Sequence, residues 1–331
     1  MVATPKINER REALEWAIHY LLSNGYKLSE SAPDIIQDTP WSYVSRFITS
    51  SGHIYLKCTP KSLGLEVDVI RTLSYALRVP VPEVIAHHPS WHCFLMKDAG
   101  ATLRSILKRD FDTDLVCEAV NQFATTQLKV ADKLDVLMDI GVPDWRLDKL
   151  PGLYQQLLLN KDILVEDGLS EIEIQKLNAL FTKVSELCEK LSNYAIKQSI
   201  VQPDFNDNNT LVDESSHNMT LIDLGELAIS HPFFSLHNFL LQMKKHHGLT
   251  ENDARYLKIK DAYLSNYMHC ESKEHLLDAF LMTQLLFPVY CALSDERLLN
   301  ACDKTSLRES FPGQARPGKS LREFLIACHF T

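Results

Sequence analysis

Two stretches of the 331-residue chain concentrate oxygen-bearing side chains at spacings that chemistry could use. The first runs from Val201 to Asp213 and holds Asp204, Asn206, Asp207, Asn208 and Asn209 between two apolar pieces. The second is Leu221-Ile222-Asp223-Leu224-Gly225-Glu226. Asp204 and Asn209 are five positions apart, and Asp223 follows Asn209 by fourteen, at the end of an apolar run. Phosphoryl transfer needs such a set. One carboxylate orients an attacking hydroxyl and takes its proton, while an amide oxygen and a second carboxylate hold Mg²⁺ against the phosphate oxygens. Carboxylate and amide oxygens suit a hard cation, and no CxxC or paired imidazole competes for zinc. Taken alone, an Asp and an Asn in a turn are ordinary turn chemistry. The flanking strand patterns and the following Ile-Asp-x-Gly are what raise the pair above that.

The elements that must carry these loops are readable from periodicity. Ala13, Leu14, Ala17, Ile18, Leu21 and Leu22 have helical spacing, closed by Gly25. Residues 34–37, 43–49 and 53–58 are short, β-branched and aromatic, and Ser50-Ser51-Gly52 reads as a hairpin turn between the last two. Leu65 to Leu77 returns to helix, stopped by Pro80 and Pro82. Residues 84–86 and 93–96 read as two more strands. Beyond Ala101 the pattern is mostly helical, with candidates at 115–140, 172–195, 234–245, 253–268, 275–293 and 319–328. Three short apolar pieces, 199–201, 210–212 and 220–222, interrupt it and frame the Asp/Asn-rich loops. The expected organisation is an N-terminal lobe over 1–96 with a leading helix and a sheet, a link at 97–100, and a large helical part over 101–331.

Composition narrows the class. Hydrophobic residues are 45% and charged residues 23%, which is globular. The formal net charge of −9 argues against a general nucleic-acid binder, because phosphate neutralisation needs clustered Lys and Arg. The eight cysteines are scattered, as expected of reduced thiols in a cytoplasmic protein. The charged start, MVATPKINERREAL, has no apolar core of a cleavable signal. The apolar stretch Leu276–Leu293 carries Asp278, Thr283, Gln284 and Pro288, and reads as a core helix kinked near Pro288 rather than a membrane span. The adjacent pairs His87-His88 and His246-His247 cannot face one metal ion. Trp16, Trp41, Trp91 and Trp145 read as packing residues, and Asp144–Asp148 as a helix–turn junction.

The residues from Gln202 to Asn209, followed by Leu211-Val212-Asp213, resemble the His-Gly-Asp-x-x-x-x-Asn loop of the aminoglycoside phosphotransferase/choline kinase family, relatives of the protein kinases. Leu221–Glu226 resembles that family's Ile-Asp-Trp-Gly-Asp/Glu metal segment. The resemblance implies a two-lobed, protein-kinase-like α+β fold. It implies Asp204 as catalytic base, and Asn209 and Asp223 as metal ligands. Upstream, Tyr55-Leu56-Lys57 on the third strand pattern is similar to the family's phosphate-pairing lysine strand. Glu66, opening the next helix, occupies the place of the acid that holds that lysine, with Asp68 the competing candidate. Residues 94–100 resemble the hinge, where adenine would meet the Lys97 carbonyl and the Ala99 amide. Thr39-Pro40-Trp41-Ser42 occupies the nucleotide-loop position, with Ser42 the expected contact. The chain departs from the family at Gln202 for His, Pro203 for Gly, Asn206-Asp207-Asn208 for His-Pro-Gly, and His231 for an Asp before Pro232. Its nucleotide loop has no glycine.

The implied activity is transfer of the ATP γ-phosphate, with Mg²⁺, to a hydroxyl of a small molecule such as a choline-like compound, a sugar or an aminoglycoside. A protein acceptor stays open. Two other readings stand beside it: a nucleotide-binding regulatory module with little or no transfer, and a transferase that moves AMP.

Overall fold

In the computed structural model, residues 7–30, 32–216 and 218–329 are described; the start of the charged N-terminal stretch, residues 1–6, lies outside them. In chain order the N-terminal elements are α1 (Ile7–Ser23), β1 (Asp34–Asp38), β2 (Tyr43–Thr49), β3 (Gly52–Cys58), α2 (Glu66–Arg71), β4 (Val84–His88) and β5 (Cys93–Lys97). There follow β6 (Ala101–Thr102), α3 (Leu103–Arg109), α4 (Thr113–Val130), α5 (Asp135–Met138), α6 (Leu150–Leu159), α7 (Lys161–Glu166), α8 (Glu171–Ala179) and α9 (Phe181–Ser192). The last part holds β7 (Ser199–Val201), β8 (Thr210–Val212), β9 (Met219–Leu221), β10 (Ala228–Ser230), α10 (Phe233–His247), α11 (Ala254–Ser265), α12 (Lys273–Ala301), α13 (Lys304–Ser310) and α14 (Pro317–His329). This is the expected mixed architecture, with a small sheet early in the chain and helices dominating the rest.

Contacts divide the chain into two compact units. Unit 1 comprises residues 1–100, 212–225 and 297–314; unit 2 comprises 101–211, 226–296 and 315–331. Asp223 is therefore a member of the same unit as the sheet.

The sheet of unit 1 is antiparallel throughout, in the order β1-β2-β3-β5-β4. Strand β2 alternates strictly between buried and half-buried positions, the signature of a strand with one face in the core. Tyr43, Phe47, Ile54, Leu56, Cys58, Cys93 and Leu95 form one face and pack with Ala13, Ala17 and Leu21. Those three recur every fourth residue along α1, so one helical stripe covers the sheet. The period-two alternation then sends Lys57, between Leu56 and Cys58, to the opposite face.

Several sequence expectations are corrected in detail. The helix expected over 65–77 is α-helical only through Arg71, then widens into a π-helical turn over Thr72–Ala76. That segment, TLSYA, is rich in hydroxyl and aromatic residues that hold a regular helix poorly. The run over 115–140 breaks after Val130, and the run over 172–195 breaks at Leu180. Just before the second break the Asn178 side chain donates to the Ile174 carbonyl and competes with the ladder. The short helices α3, α6, α7 and α13 and the three-residue strand β10 have too few turns for periodicity to single out. Helix α12, Lys273–Ala301, begins close to the expected start at 275 but runs well past the expected end at 293, and contains Pro288. It is long and apolar enough to cross a membrane, and half of that apolar window is buried in the protein. All eight cysteines are free thiols, as expected.

Candidate functional site

Unit 1 gathers three of the residues singled out in the sequence. Strand β3 delivers Lys57, α2 opens on Glu66, and Asp223 follows β9. The Lys57 ammonium lies 2.8 and 2.7 Å from the two Glu66 carboxylate oxygens and 2.6 Å from Asp223 Oδ1. The Lys57 and Glu66 side chains are 5% and 3% exposed, that of Asp223 42%. Burial acts to lower the Lys57 pKa, but the Asp223 and Glu66 carboxylates overcome it and hold the ammonium above an ordinary lysine. Asp68, the competing acid, is exposed.

Asp223 has φ +61°, the left-handed region that costs a non-glycine residue about 1–3 kcal/mol and persists only where the surroundings enforce it. The enforcement is visible. The Leu224 amide donates to Glu66 Oε1 at 3.1 Å, and the Arg297 guanidinium donates to the Gly225 carbonyl at 2.9 Å. Gly225 lies so close to the Leu63 carbonyl that a Cβ there would stand 3.3 Å from it.

Unit 2 carries the Asp204 loop. Strand β7 pairs antiparallel with β10 and leads into it. Beneath the strand, Gln127 of α4 donates from Nε2 to the Ile200 carbonyl at 2.8 Å and the Pro232 carbonyl at 3.1 Å. The Tyr263 and Tyr267 hydroxyls close on its Oε1. The Phe205 ring is fully buried, stacked on Phe123 with centroids 4.0 Å apart, so the residue after Asp204 is an anchor. Asp204 itself is exposed. Its two carboxylate oxygens accept from side-chain amides: Oδ1 from Asn206 at 2.7 Å and Oδ2 from Asn209 at 2.8 Å. Asn206 in turn receives the Asn208 and Asn209 backbone amides on its own Oδ1. The run of Asn and Asp thus folds as a set of side-chain-to-backbone turns that fix the carboxylate's orientation.

Asp207, fully buried, is the other anchor of this loop. Its Oδ1 accepts from Arg104 at 2.7 Å, and its Oδ2 lies 2.7 Å from His247 Nε2. The Arg104 amide donates to the Asp207 carbonyl at 2.8 Å. Where the family resemblance sets Pro at this point, the chain uses a buried carboxylate held between a guanidinium and an imidazole.

The remaining expected residues sit as follows. Ser42 immediately precedes β2 with its hydroxyl buried, and Thr39 Oγ1 and the Ser42 backbone close the preceding turn at 3.0 Å. Trp41 packs edge-on against Phe311, with centroids 4.9 Å apart. Lys97 ends β5; its amide donates to the Glu83 carbonyl at 3.0 Å and its exposed side chain pairs with Glu83 at 2.8 Å. The Asp98 amide donates to the His53 carbonyl, and the Ala99 amide takes no part in this ladder. Gly100, at φ +114°, runs so close to the Val212 carbonyl that a Cβ would lie 2.2 Å from its oxygen. The other expected packing aromatics do pack: Trp16 and Trp91 on His88, and Trp145 on Tyr290.

The donor chemistry fits Mg²⁺. In unit 2 the Asn209 amide nitrogen donates to Asp204, which turns its Oδ1 away from that carboxylate, and in unit 1 Asp223 carries a partly exposed carboxylate; each is a hard oxygen donor of the kind that Mg²⁺ takes. Among the described residues no group of three or more His, Cys, Asp or Glu could hold a metal. Mg²⁺ does not need one, since it keeps waters and phosphate oxygens beside one or two protein oxygens.

Sequence reasoning missed Arg297, Asp207 with Arg104 and His247, and Gln127. Arg297 acts 72 residues from Gly225 and Arg104 acts 103 from Asp207, distances at which no spacing rule operates. Asn206 was within reach, because Asn in a dense Asn/Asp turn commonly bonds the amides two and three residues on.

No family model matches the chain, and no curated protein matches its sequence. Solved structures do. The GDP complex of an aminoglycoside 2′-phosphotransferase mutant is similar with TM-score 0.60 and 13% identity, covering 96% of this chain and 98% of that one. An ethanolamine kinase of Plasmodium vivax is similar with TM-score 0.61 and 10% identity, covering 90% and 82%. A macrolide 2′-phosphotransferase of Brachybacterium faecium gives TM-score 0.56 and 11% identity, covering 95% and 98%. At such identities the likeness shows the fold, which is protein-kinase-like, as the residues had implied.

Proposed function

We propose that the chain is an ATP-dependent phosphotransferase that moves the γ-phosphoryl group to a hydroxyl of a small molecule. The observation that carries this reading is the buried Lys57–Glu66–Asp223 cluster, which keeps a fixed positive charge beside a partly exposed carboxylate. The neighbours in fold support it, since their names include aminoglycoside, macrolide and ethanolamine phosphotransferases.

In this reading the Lys97 carbonyl and the Ala99 amide take the purine edge. Lys57 holds phosphate oxygens, with Glu66 keeping its ammonium charged and aimed. Asn209 Oδ1 and the Asp223 carboxylate would hold Mg²⁺, which would supply charge neutralisation at the phosphate oxygens. Asp204, oriented by the Asn206 and Asn209 amides, accepts the acceptor hydroxyl's proton as the new O–P bond forms and ADP leaves. Positioning and charge neutralisation account for most of the rate.

The test is Asp204→Asn. Turnover should fall on the order of 10²–10⁴-fold with MgATP affinity little changed. ATP consumption would be followed with choline, ethanolamine, sugars, aminoglycosides and macrolides as acceptors, chosen beforehand by the stabilisation each gives against heat with MgATP present. Wild-type turnover in Asp204→Asn rejects the base assignment.

The buried Ser42 hydroxyl and the glycine-free loop favour a second reading, a nucleotide-binding module. Binding of MgATP with neither transfer nor slow hydrolysis across the panel would select it.

A further inference from the structure

We infer that Arg297 is a positioning residue for the metal-binding carboxylate: it holds Asp223 in its left-handed conformation through the backbone that follows it. The inference rests on the phosphotransferase reading and deepens it.

Asp223 turns the chain from β9 into the 3₁₀ turn Leu224–Glu226 at φ +61°. A non-glycine residue stays there only if its neighbours fix the adjoining peptide planes. Two side chains from separate elements do so. Glu66 at the start of α2 accepts from the Leu224 amide. Arg297, in the last turns of α12, donates to the Gly225 carbonyl at 2.9 Å. That bond is charge-assisted and therefore strong and short. On the other flank a Cβ at Gly225 would stand 3.3 Å from the Leu63 carbonyl, so the turn runs close beside that segment. Without the guanidinium one of these constraints disappears, and Asp223 can leave the left-handed well. Its carboxylate then loses the orientation that Lys57 and a cation share. Groups that orient a metal ligand commonly govern affinity by 10–100-fold without touching the metal.

The experiment titrates Mg²⁺ against ATP binding by calorimetry in wild type, Arg297→Gln and Arg297→Lys, with ATP affinity also measured in EDTA. In Arg297→Gln the Mg²⁺ concentration for half-maximal binding should rise about tenfold. Metal-free affinity should stay within about twofold, because Lys57 and the segment around Lys97 are untouched. Arg297→Lys, which keeps a cationic donor, should recover part of the shift. A merely structural arginine would instead lower the melting temperature and weaken both affinities in parallel. A folded Arg297→Gln protein with the wild-type Mg²⁺ half-point overturns the assignment. If that variant does not fold, Arg297→Lys decides: an intermediate half-point supports the assignment and an unchanged one rejects it. Absence of Mg²⁺-dependent ATP binding in the wild type removes the phosphotransferase reading and this assignment together, whereas a failure confined to the variants leaves that reading standing.

Discussion

Lys57 keeps its charge in a place where an isolated ammonium would lose it, because two carboxylates stand within 3 Å. Breaking such a pair costs more than the pair itself contributes, since the partner stays buried and uncompensated. Lys57→Met should therefore destabilise the chain by about 3 kcal/mol, most of it through Glu66 rather than the half-exposed Asp223. A denaturant titration measures this, and adding Glu66→Gln to Lys57→Met should recover a good part. Equal stability of Lys57→Met and wild type would mean that Glu66 does not depend on the cation. The sign in pH follows from the raised Lys57 pKa: its stabilising contribution is complete below the ordinary value of 10.5 and is lost as alkali carries the pH through the shifted value. At this scale the sequence was most legible where one short segment contains the whole signal. Asp204, Asn209 and Asp223 were singled out in this way, whereas Lys57 and Glu66 were implied only by the family resemblance of their strand and helix. Arg297, Arg104 and His247 were not, because what marks them is proximity made by folding.

Helix α10 is buried on nearly every face over its first half, and two imidazoles are sealed at and within its start. Burial pushes the pKa of His231 and of His237 down to about 3. Each is neutral in the folded chain, while its unfolded counterpart takes a proton below 6.5. Stability should thus be complete above pH 6.5 and fall as the pH drops toward 3, by up to about 1.4 kcal/mol per pH unit for each histidine. Asp295, raised to about 6 by burial, works in the opposite sense between pH 6 and 3.8. His231→Asn keeps an acceptor for the Phe233 amide and should flatten the acid limb of a melting-temperature profile, as should His237→Leu. Unaltered slopes in both would show that these imidazoles are protonated in the fold. Elements were legible in proportion to length and amphipathicity. The strands of the first sheet and the helices α1, α10 and α11 fell close to their expected bounds. Breaks such as the one at Leu180 escaped because apolar spacing continues across them while the backbone ladder does not.

At the scale of the molecule, unit 1 draws on three stretches of chain separated by long excursions into unit 2. A fragment ending at Gly100 carries the whole five-stranded sheet but lacks Asp223, Arg297 and Phe311. It should show no cooperative thermal transition by circular dichroism, because Lys57 loses one carboxylate partner, Glu66 the Leu224 amide and Trp41 its aromatic neighbour. A sharp transition in that fragment would show that the first hundred residues suffice. The sequence changes from strand-like to helical periodicity near residue 100, whereas nothing in it marks the docking of 212–225 and 297–314 with the first unit, since short segments carry no signature of where they dock. The 166 positions that separate Asp223 from Lys57 also set a clock. A ribosome adding 5–20 residues per second leaves the nascent lysine without that aspartate for roughly ten to thirty seconds. For that interval the growing polypeptide displays an unfinished charge cluster, and whatever shields it during synthesis acts before Asp223 has been added.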